Sequence, residues 1–335
     1  MSDQKVPSVA FLGPLGTFSH QVFSTISTPD VRPKIDATLQ VTHQYFGDSV
    51  SYQPQSSIAN VHHALSPEIQ YACIPLANST HGSVIETFDL LRDSRWPTEI
   101  SICGETVLKV EHCLVVRTAP HTNINTDIEN RDLMRSITAV LSHEQALGQC
   151  FNWLSTNLPN AKRIKTSSTS RAAQMISDGT LPEGTGDGLV AAICAEICLQ
   201  SYPNLTILAR NLQDRDDNQT RFIIARHNSA KNSSVILPTV NRFPSRVLIR
   251  IALENVPLHR LFELLTNTRL WSSTRLERMD KRPSLAGHGP LWSDVYFLEF
   301  SIGAHDAAFS LEKELEQLRK NLGLDGSAVT LLGSW

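Results

Sequence analysis

The segment 218–222, with the sequence NQTRF, contains the pair of side chains in this sequence that best fits a chemical task. Thr220 and Arg221 stand where a polar run, 214–217, leads into an apolar run, 222–225. A threonine hydroxyl donates or accepts a hydrogen bond, and a guanidinium grips a carboxylate with two parallel N–H groups. The pair therefore indicates recognition of a small carboxylate beside a neutral donor. Most Thr-Arg pairs are surface strand residues, so the hypothesis depends on the rest of the chain.

Four further segments carry hydroxyl or amide side chains where an apolar, strand-like run gives way to a helical pattern. They are residues 17–19, 78–83, 142–145 and 167–170. Alternating strands and helices form mainly parallel sheets, which bind ligands at the carboxyl ends of their strands. Helix N-termini at that edge offer N–H groups and partial positive charge to anions. Plain helix capping explains any one loop, as with Ser142 and Gln145 in the spacing of a capping box. The four loops together predict a neutral cradle for a small carboxylate, helped by Arg221.

None of these loops has the signature of a cofactor or metal site. The glycines at 13 and 16 lack both the Lys-Ser/Thr of a nucleotide loop and the dinucleotide pattern GxGxxG, and His143-Glu144 lacks the second histidine of a zinc helix. We therefore expect no cofactor and no metal.

Composition excludes several other classes of protein. The 335 residues allow two or three domains, and the net charge of −3 gives no electrostatic case for nucleic acid or an anionic membrane. No apolar run approaches the roughly 20 residues that span a bilayer, and the apolar stretch at 9–12 is too short for a signal-peptide core. The six cysteines form no CxxC pair, so we interpret them as reduced core residues of a cytoplasmic protein.

The order of elements predicts an α/β protein whose C-terminal region has a different order of strands and helices from the rest of the chain. Strands are expected at 9–12, 71–76, 137–141, 189–193, 205–209 and 222–225, and helices at 20–26, 84–92, 145–154, 171–177 and 194–200. Residues 107–116 form two apolar pieces around Lys109 and His112. Residues 227–245 have the composition of a linker. Beyond it, strands at 246–253, 271–279, 295–300 and 329–332 and helices at 258–267 and 306–321 give the order βαββαβ, which is typical of a ferredoxin-like domain.

Five segments, in the same order, resemble the motifs of prephenate dehydratases. They are 11–20 (FLGPLGTFSH), 75–84 (PLANSTHGSV, for the family's PIENS and GSV), 142–147 (SHEQAL, for SHPQAL), 168–169 (Ser-Thr before a helix) and 218–222 (NQTRF, for NxTRF). The C-terminal region is similar to the family's ACT domain, with Arg282-Pro283 inside a degenerate ESRP. The resemblance extends from residue 9 to 334. Residues 38–70 are longer than in the usual bacterial version, and we expect a fungal-like form.

The resemblance implies a fold, a reaction and a set of site residues. The fold is a catalytic domain, 1–226, of two α/β lobes like those of type 2 periplasmic binding proteins with a cleft between them, a linker, 227–245, and an ACT domain, 246–335. The reaction is the decarboxylating dehydration of prephenate to phenylpyruvate, in which Thr220 is the donor to the leaving hydroxyl. The substrate-binding residues implied are Thr17, Phe18, Asn78, Ser79, Gly82, Ser83, Ser142, Gln149, Ser168, Thr169, Arg221 and Phe222. Arg221 has a second interpretation, since in a strand after Thr220 it can point away and serve the structure.

The family's ACT domain implies L-phenylalanine as effector and a dimer or dimer of dimers. The effector residues implied are Pro257, Leu258, His259, Asp280, Arg282 and Pro283. Leu258 stands where the family often has a glycine, so we expect feedback inhibition with weakened affinity. Ala77 replaces the family's acidic residue before Asn-Ser. Three alternatives stay open: an arogenate dehydratase, a solute-binding protein, and a non-catalytic amino-acid sensor on the same scaffold.

Overall fold

The computed structural model describes residues 6–13, 37–118, 127–196, 198–230, 246–253, 258–285, 293–302, 310–322 and 328–335. Its strands are β1 (Ser8–Leu12), β2 (Ser51–Gln55), β3 (Tyr71–Asn78), β4 (Gly82–Ser83), β5 (Ile100–Lys109), β6 (Cys113–Arg117), β7 (Ile137–His143), β8 (Lys162–Thr166), β9 (Leu189–Cys194), β10 (Leu205–Ala209), β11 (Gln219–His227), β12 (Arg246–Leu253), β13 (Thr274–Pro283), β14 (Asp294–Ile302) and β15 (Val329–Ser334). Its α-helices are α1 (Ala37–Phe46), α2 (Ile58–Ala64), α3 (Ile85–Leu90), α4 (Arg95–Thr98), α5 (Asp127–Ser136), α6 (Glu144–Gln149), α7 (Phe151–Asn157), α8 (Thr169–Asp178), α9 (Cys198–Ser201), α10 (Leu258–Thr266), α11 (Arg269–Ser273) and α12 (Leu311–Leu322).

The chain divides into two units, each built on its own sheet. The first unit contains residues 1–12, 42–107 and 221–335, and the second contains residues 13–41 and 108–220. The α/β class is confirmed by both units. The sequence-based boundaries of a catalytic domain, linker and ACT domain stay a prediction, and most of the linker, 231–245, lies outside the described residues.

One sheet runs through the whole first unit. Among the described residues it has ten strands in the order β13-β14-β12-β15-β5-β11-β3-β1-β2, with β4 paired to β3. β1 pairs in parallel with β2 and β3, whereas β12 pairs antiparallel with β14 and β15 and β13 pairs antiparallel with β14. β15 meets β5 in parallel, at Gly333 and Ile102. The βαββαβ region is thus joined edge to edge to the strands that precede it.

The two parts of the sheet that meet at β15 and β5 share a hydrophobic core. Phe88 and Trp96 from the N-terminal part pack in the same buried cluster as Phe297, Leu332 and Trp335 from the C-terminal part. Phe88 and Phe297 are in edge-to-face contact with ring centroids 5.3 Å apart, an arrangement that aromatic pairs favour. A second cluster, around Leu261, Leu298 and Leu318, lies within the βαββαβ region.

The second unit is a five-stranded sheet in the described part of the chain, in the order β10-β6-β9-β7-β8. β7 is parallel to β8 and β9, while β6 is antiparallel to β9 and β10. Successive residues of a strand point to opposite faces, so Leu141 packs in the cluster that contains Ala172 and Ile176, and Val140 packs in the cluster with Leu147 and Leu154. Helices therefore cover both faces of this sheet.

Most predicted elements are confirmed. The predicted helix at 145–154 is divided into α6 and α7. The C-terminal order βαββαβ is present, but the predicted strand at 271–279 begins as helix α11 and becomes β13 only at Thr274. The predicted helix at 194–200 is shorter and later, as α9. The predicted helix at 20–26 lies outside the described residues. The six cysteines, all among the described residues, form no disulfide bond with one another. In the described part of the chain no helix has the length and apolar character needed to cross a membrane.

Candidate active site

The predicted substrate loop of the first unit, residues 78–83, is the tip of a tight hairpin between β3 and β4. Asn78 pairs with Gly82 and Ala77 with Ser83, which leaves three exposed residues at the tip. Gly82 has a φ of +78°, a left-handed conformation that favours glycine because it lacks a Cβ. The loop therefore has a defined shape at the carboxyl end of β3.

Asn78 organises this loop with its own side chain. Its Oδ1 accepts hydrogen bonds from the backbone N–H groups of Thr80 (2.9 Å) and His81 (3.0 Å), and lies 3.2 Å from Nδ1 of His81. Asparagine side chains commonly bond to the backbone two residues on, which stabilises a turn. The amide oxygen therefore faces the loop. Ser79 is exposed at the tip, whereas Ser83 is half-buried and hydrogen-bonded to β13.

In the second unit, two predicted loops follow neighbouring parallel strands. Ser142 and His143 of β7 pair with Lys165 and Thr166 of β8, so helices α6 and α8 begin at the same edge of the sheet. Ser168 caps α8, since its Oγ accepts from the N–H of Arg171 at 3.0 Å, and Thr169 is the first helical residue. The structure thus brings these two loops together, as expected for the carboxyl ends of adjacent parallel strands.

The role predicted for Ser142 as a helix cap is wrong. The cap of α6 is His143, whose Nδ1 accepts from the N–H of Gln145 at 3.3 Å. Ser142 is fully buried inside β7, and its Oγ donates to the carbonyl oxygen of Ile193 on β9 at 2.7 Å. Because β7 extends two residues beyond the predicted strand end, the hydroxyl is used within the sheet. A direct substrate contact by Ser142 stays a prediction, and its observed bond favours a structural role.

Gln149, the last residue of α6, is held by a histidine that the sequence analysis did not select. His112 is buried, and its Nε2 lies 2.7 Å from Oε1 of Gln149. Burial lowers the pKa of His112, against the opposing effect of this bond, so the ring is neutral at pH 7. Its Nδ1 has no hydrogen-bond partner in the described part of the chain. A buried N–H without an acceptor is costly, so we assign the proton to Nε2, which donates to Oε1. The amide N–H groups of Gln149 then face away from His112.

Thr220 is the second residue of β11 and is half-buried. Asn218, two residues earlier, is buried, and its carbonyl oxygen accepts from the N–H of Val110 at 2.9 Å. The backbone is thus fixed on the N-terminal side of Thr220. The hydroxyl of Thr220 is able to donate a hydrogen bond, and the catalytic role of Thr220 stays a prediction.

Arg221 is engaged by carboxylates of its own unit. Its Nη1 and Nη2 donate to the two oxygens of Glu299 at 2.8 and 2.6 Å, and its Nε donates to Glu105 at 2.6 Å. Arg246 bonds the same two glutamates, at 3.1 Å to Glu105 and 2.9 Å to Glu299. Of the two interpretations of Arg221, these contacts favour the structural one. Phe222, the next residue, is 4% exposed and belongs to the core.

The predicted effector residues lie on two elements of the C-terminal region. Leu258 and His259 begin α10 and are exposed, and Pro283 is exposed at the end of β13. Asp280 and Arg282 are half-buried, and their side chains contact Ser83 and Asp89. Thr17, Phe18 and Pro257 lie outside the described residues.

One cluster in the described part of the chain has metal-ligand spacing: His62, His63 and Asp93. Nε2 of His62 accepts a hydrogen bond from Nε1 of Trp96 (3.2 Å), and Nδ1 lies 3.1 Å from Nη2 of Arg95. Burial, and then the charge of Arg95, lowers the pKa of His62 to about 4. Because Nε2 is occupied by the N–H of Trp96 and Nδ1 lies beside a cation, His62 does not suit a metal.

Sequence reasoning missed His112 and the arginine at 278 on β13. His112 interrupts an apolar run, and a lone polar residue among buried neighbours signals a bonded partner. Arg278 carried no local signal, because Ser83, its partner, is 195 residues away.

The fold is that of an α/β protein with hydroxyl- and amide-bearing loops at strand ends and a ferredoxin-like C-terminal region. The family model described as "Prephenate dehydratase" matches residues 9–230. The chain belongs to the prephenate dehydratase family.

Individual relatives agree with this assignment. The chain is 27% identical over 330 residues to a bifunctional chorismate mutase/prephenate dehydratase of Pseudomonas aeruginosa, covering 98% of this chain and 72% of that protein. It resembles the crystal structure of prephenate dehydratase from Arthrobacter aurescens in complex with L-Phe, with a TM-score of 0.67, 22% identity and coverage of 98% and 89%. The structure of GqqA, described as a quorum quenching acylase, is similar in fold, with a TM-score of 0.64, 19% identity and coverage of 97% and 96%. These structural likenesses show the fold alone, and the expectation of a fungal-like form stays a prediction.

Proposed function

We propose that this chain converts prephenate into phenylpyruvate, the dehydratase step of L-phenylalanine biosynthesis. The observation that carries the proposal is the match of the prephenate dehydratase family over residues 9–230, which includes Asn78, Gln149, Thr220 and the loops around them. Fold alone is insufficient, because one fold hosts several chemistries.

The reaction needs one proton and no redox partner. The bond between the ring and its carboxylate breaks, the electron pair enters the ring, and the ring C–O bond breaks as the ring becomes aromatic. Hydroxide is a poor leaving group, so a donor at this oxygen is worth roughly 10²- to 10⁴-fold in rate. Thr220 is that donor, relaying a proton so that water leaves, with CO₂ as the other product.

The observed contacts support the roles that we propose for the remaining residues. Gln149 offers its amide N–H groups to a carboxylate, because His112 holds the amide oxygen. Asn78 shapes the loop of the first unit through its amide oxygen. The N-termini of α6 and α8 contribute partial positive charge at one sheet edge.

A direct assay of both candidate substrates tests the proposal. Purified full-length chain is incubated with prephenate or with arogenate, and phenylpyruvate and phenylalanine are quantified, with Thr220→Ala as the background control. We expect prephenate to be preferred. A preference for arogenate would move the assignment to arogenate dehydratase, and turnover of neither substrate would refute the proposal.

We propose L-phenylalanine as the effector, bound beside α10 and β13. Leu258 is 37% exposed at the start of α10 and offers an apolar contact for an aromatic side chain. Calorimetry with the full chain tests this. Leu258→Asp should abolish the heat of phenylalanine binding, whereas Gln317→Asp, on the exposed side of α12, should preserve it. If the unaltered chain gives no heat, L-phenylalanine is not an effector. If Leu258→Asp gives the same heat as the unaltered chain, L-phenylalanine does not bind beside Leu258.

We further propose a cytoplasmic homo-oligomer, a dimer or dimer of dimers, formed through β13. Among the described residues this strand ends the sheet of the first unit, and the side chain of Met279 on it is 44% exposed. Sheet edges favour pairing with another strand, and a charge there opposes it. Sedimentation should show a dimer or larger species that Met279→Lys weakens. A monomer at all concentrations would refute this assembly.

A further inference from the structure

Strand β13 presents alternate side chains to two different surroundings. Residues 278, 280 and 282 are half-buried, whereas residues 279, 281 and 283 are exposed. This is the period of two expected of a strand. The half-buried set, Arg278, Asp280 and Arg282, makes contacts far outside the C-terminal region.

The first contact is with Ser83, at the end of the predicted substrate loop. Nη2 of Arg278 donates to Oγ of Ser83, and this hydroxyl donates to Oδ1 of Asp280. Nε of Arg278 donates to Oδ2 of Asp280 at 2.5 Å, which closes a three-residue ring of hydrogen bonds. The side chains of Arg278 and Asp280 are only 21% and 16% exposed. The hydroxyl proton of Ser83 is therefore committed to Asp280.

The second contact is with α3, which follows Ser83 after one residue. Nε and Nη2 of Arg282 donate to the two carboxylate oxygens of Asp89 at 2.7 and 3.0 Å. Nη1 of Arg92 donates to the carbonyl oxygen of Pro283 at 2.6 Å. The guanidinium of Arg278 also lies over the ring of Phe88, 5.2 Å from its centroid. The strand thus holds both the end of the loop and the helix behind it.

We propose that Arg278 and Asp280 are positioning residues for the substrate loop, residues 78–83. They fix Ser83, which pairs with Ala77, and so hold the turn in which Asn78 accepts from Thr80 and His81. Ser83 acts as the anchor of the loop and does not donate to substrate. The inference rests on the proposed function only for the identity of the substrate.

The test uses the full chain with three variants and a matched control. Arg278→Met and Ser83→Ala each remove the Arg278–Ser83 bond, and Arg278→Lys keeps a charge and one donor to Ser83. Arg275→Met removes an arginine from the same strand whose side chain is 82% exposed and pairs with Glu277. Melting temperatures identify any variant that fails to fold.

We expect KM for prephenate to rise about tenfold in Arg278→Met and Ser83→Ala, with kcat changed less, since a bond to a charged group is lost. The double variant that combines Ser83→Ala with Arg278→Met should have the same KM as either single variant, because both substitutions remove the same contact. Arg278→Lys should recover part of the loss, and Arg275→Met should match the unaltered chain.

Amide hydrogen exchange gives a readout that does not require turnover. The N–H groups of Thr80 and His81 should exchange at least tenfold faster in Arg278→Met than in Arg275→Met. If the unaltered chain turns over neither substrate but exchange accelerates, the positioning role stands and the proposed function fails. If the chain is active and both KM and exchange are unchanged in Arg278→Met, the positioning role is refuted.

Discussion

The guanidinium of Arg221 on β11 forms two parallel hydrogen bonds with the carboxylate of Glu299 on β14, whose side chain is 1% exposed. Glu105 and Arg246 complete a ring of two positive and two negative charges. Arg221 also lies 6.0 Å from the ring centroid of Trp335. The residue next to the proposed donor Thr220 is therefore fixed by the C-terminal region.

Removal of Glu299 should destabilise the chain strongly. Glu299→Ala leaves Arg221 partly buried with Glu105 as its remaining carboxylate, and breaking one side of a buried pair costs about 3–5 kcal/mol. Urea unfolding measures this loss. Glu263→Ala, which breaks an exposed pair on α10, is the control and should change little. Equal effects in the two variants would contradict the importance of the ring.

The same carboxylate predicts a pH dependence of stability. Burial acts to raise the pKa of Glu299, but the bonds and charges of Arg221 and Arg246 outweigh it and hold this pKa below its ordinary value. The pKa of Glu299 is lower in the folded chain than in the unfolded chain, where it is about 4.3, so this group stabilises the folded chain above pH 4.3. The stabilisation is lost as the pH falls below that value. Glu299→Gln should therefore flatten the fall of the unfolding free energy below about pH 4.3. The exposed Glu316→Gln should keep the unaltered slope, and identical slopes in all three chains would refute the prediction.

Thr220→Ala should lower kcat by roughly 10²-fold or more and disturb KM less, because donation to the leaving oxygen occurs in the transition state. Steady-state kinetics with prephenate measures both constants. Thr206→Ala, on β10, is a matched control outside the proposed machinery. Full activity of Thr220→Ala would remove this hydroxyl from the mechanism.

Asn78→Ala and Gln149→Ala should mainly weaken substrate binding, each by about 1–3 kcal/mol, the range for a lost hydrogen bond to a charged group. Equilibrium binding and KM report the effect. Asn157→Ala is the control, because it removes an exposed amide on α7 that lies outside the proposed site. Normal binding by both variants would show that Asn78 and Gln149 do not bind the substrate.

Chelators and added divalent metals should leave the rate unchanged. In the described residues the one cluster with ligand spacing contains His62, whose Nε2 is occupied by the N–H of Trp96 and whose Nδ1 lies beside the cation of Arg95. The measurement is turnover before and after dialysis against a chelator, followed by single metals. Loss of activity on dialysis, restored by one metal, would overturn this.

The local parts of this structure were predictable, and the long-range parts were not. The strand predicted at 246–253 is β12, and the order βαββαβ is correct, because alternation and helical periodicity are properties of neighbouring residues. The predicted cap Ser142 failed because a strand end depends on its partner strands, here β8 and β9.

The contacts that change the roles inferred for Arg221 and Ser83 join residues that are distant in the sequence. Arg221 and Glu299 are 78 positions apart, and Ser83 and Asp280 are 197 apart. Nothing near Arg221 in the sequence distinguishes a guanidinium that meets a substrate from one that meets a glutamate. Only the pairing of strands decides between them.

The parallel contact between β15 and β5 limits how this protein can evolve by exchange of domains. At Gly333 a Cβ would overlap the backbone of Ile102, so the junction requires a residue without a side chain. A recombined gene that carried a foreign C-terminal region would need this glycine, a glutamate at 299 and an arginine at 278 together. The two segments are therefore expected to be inherited as one block.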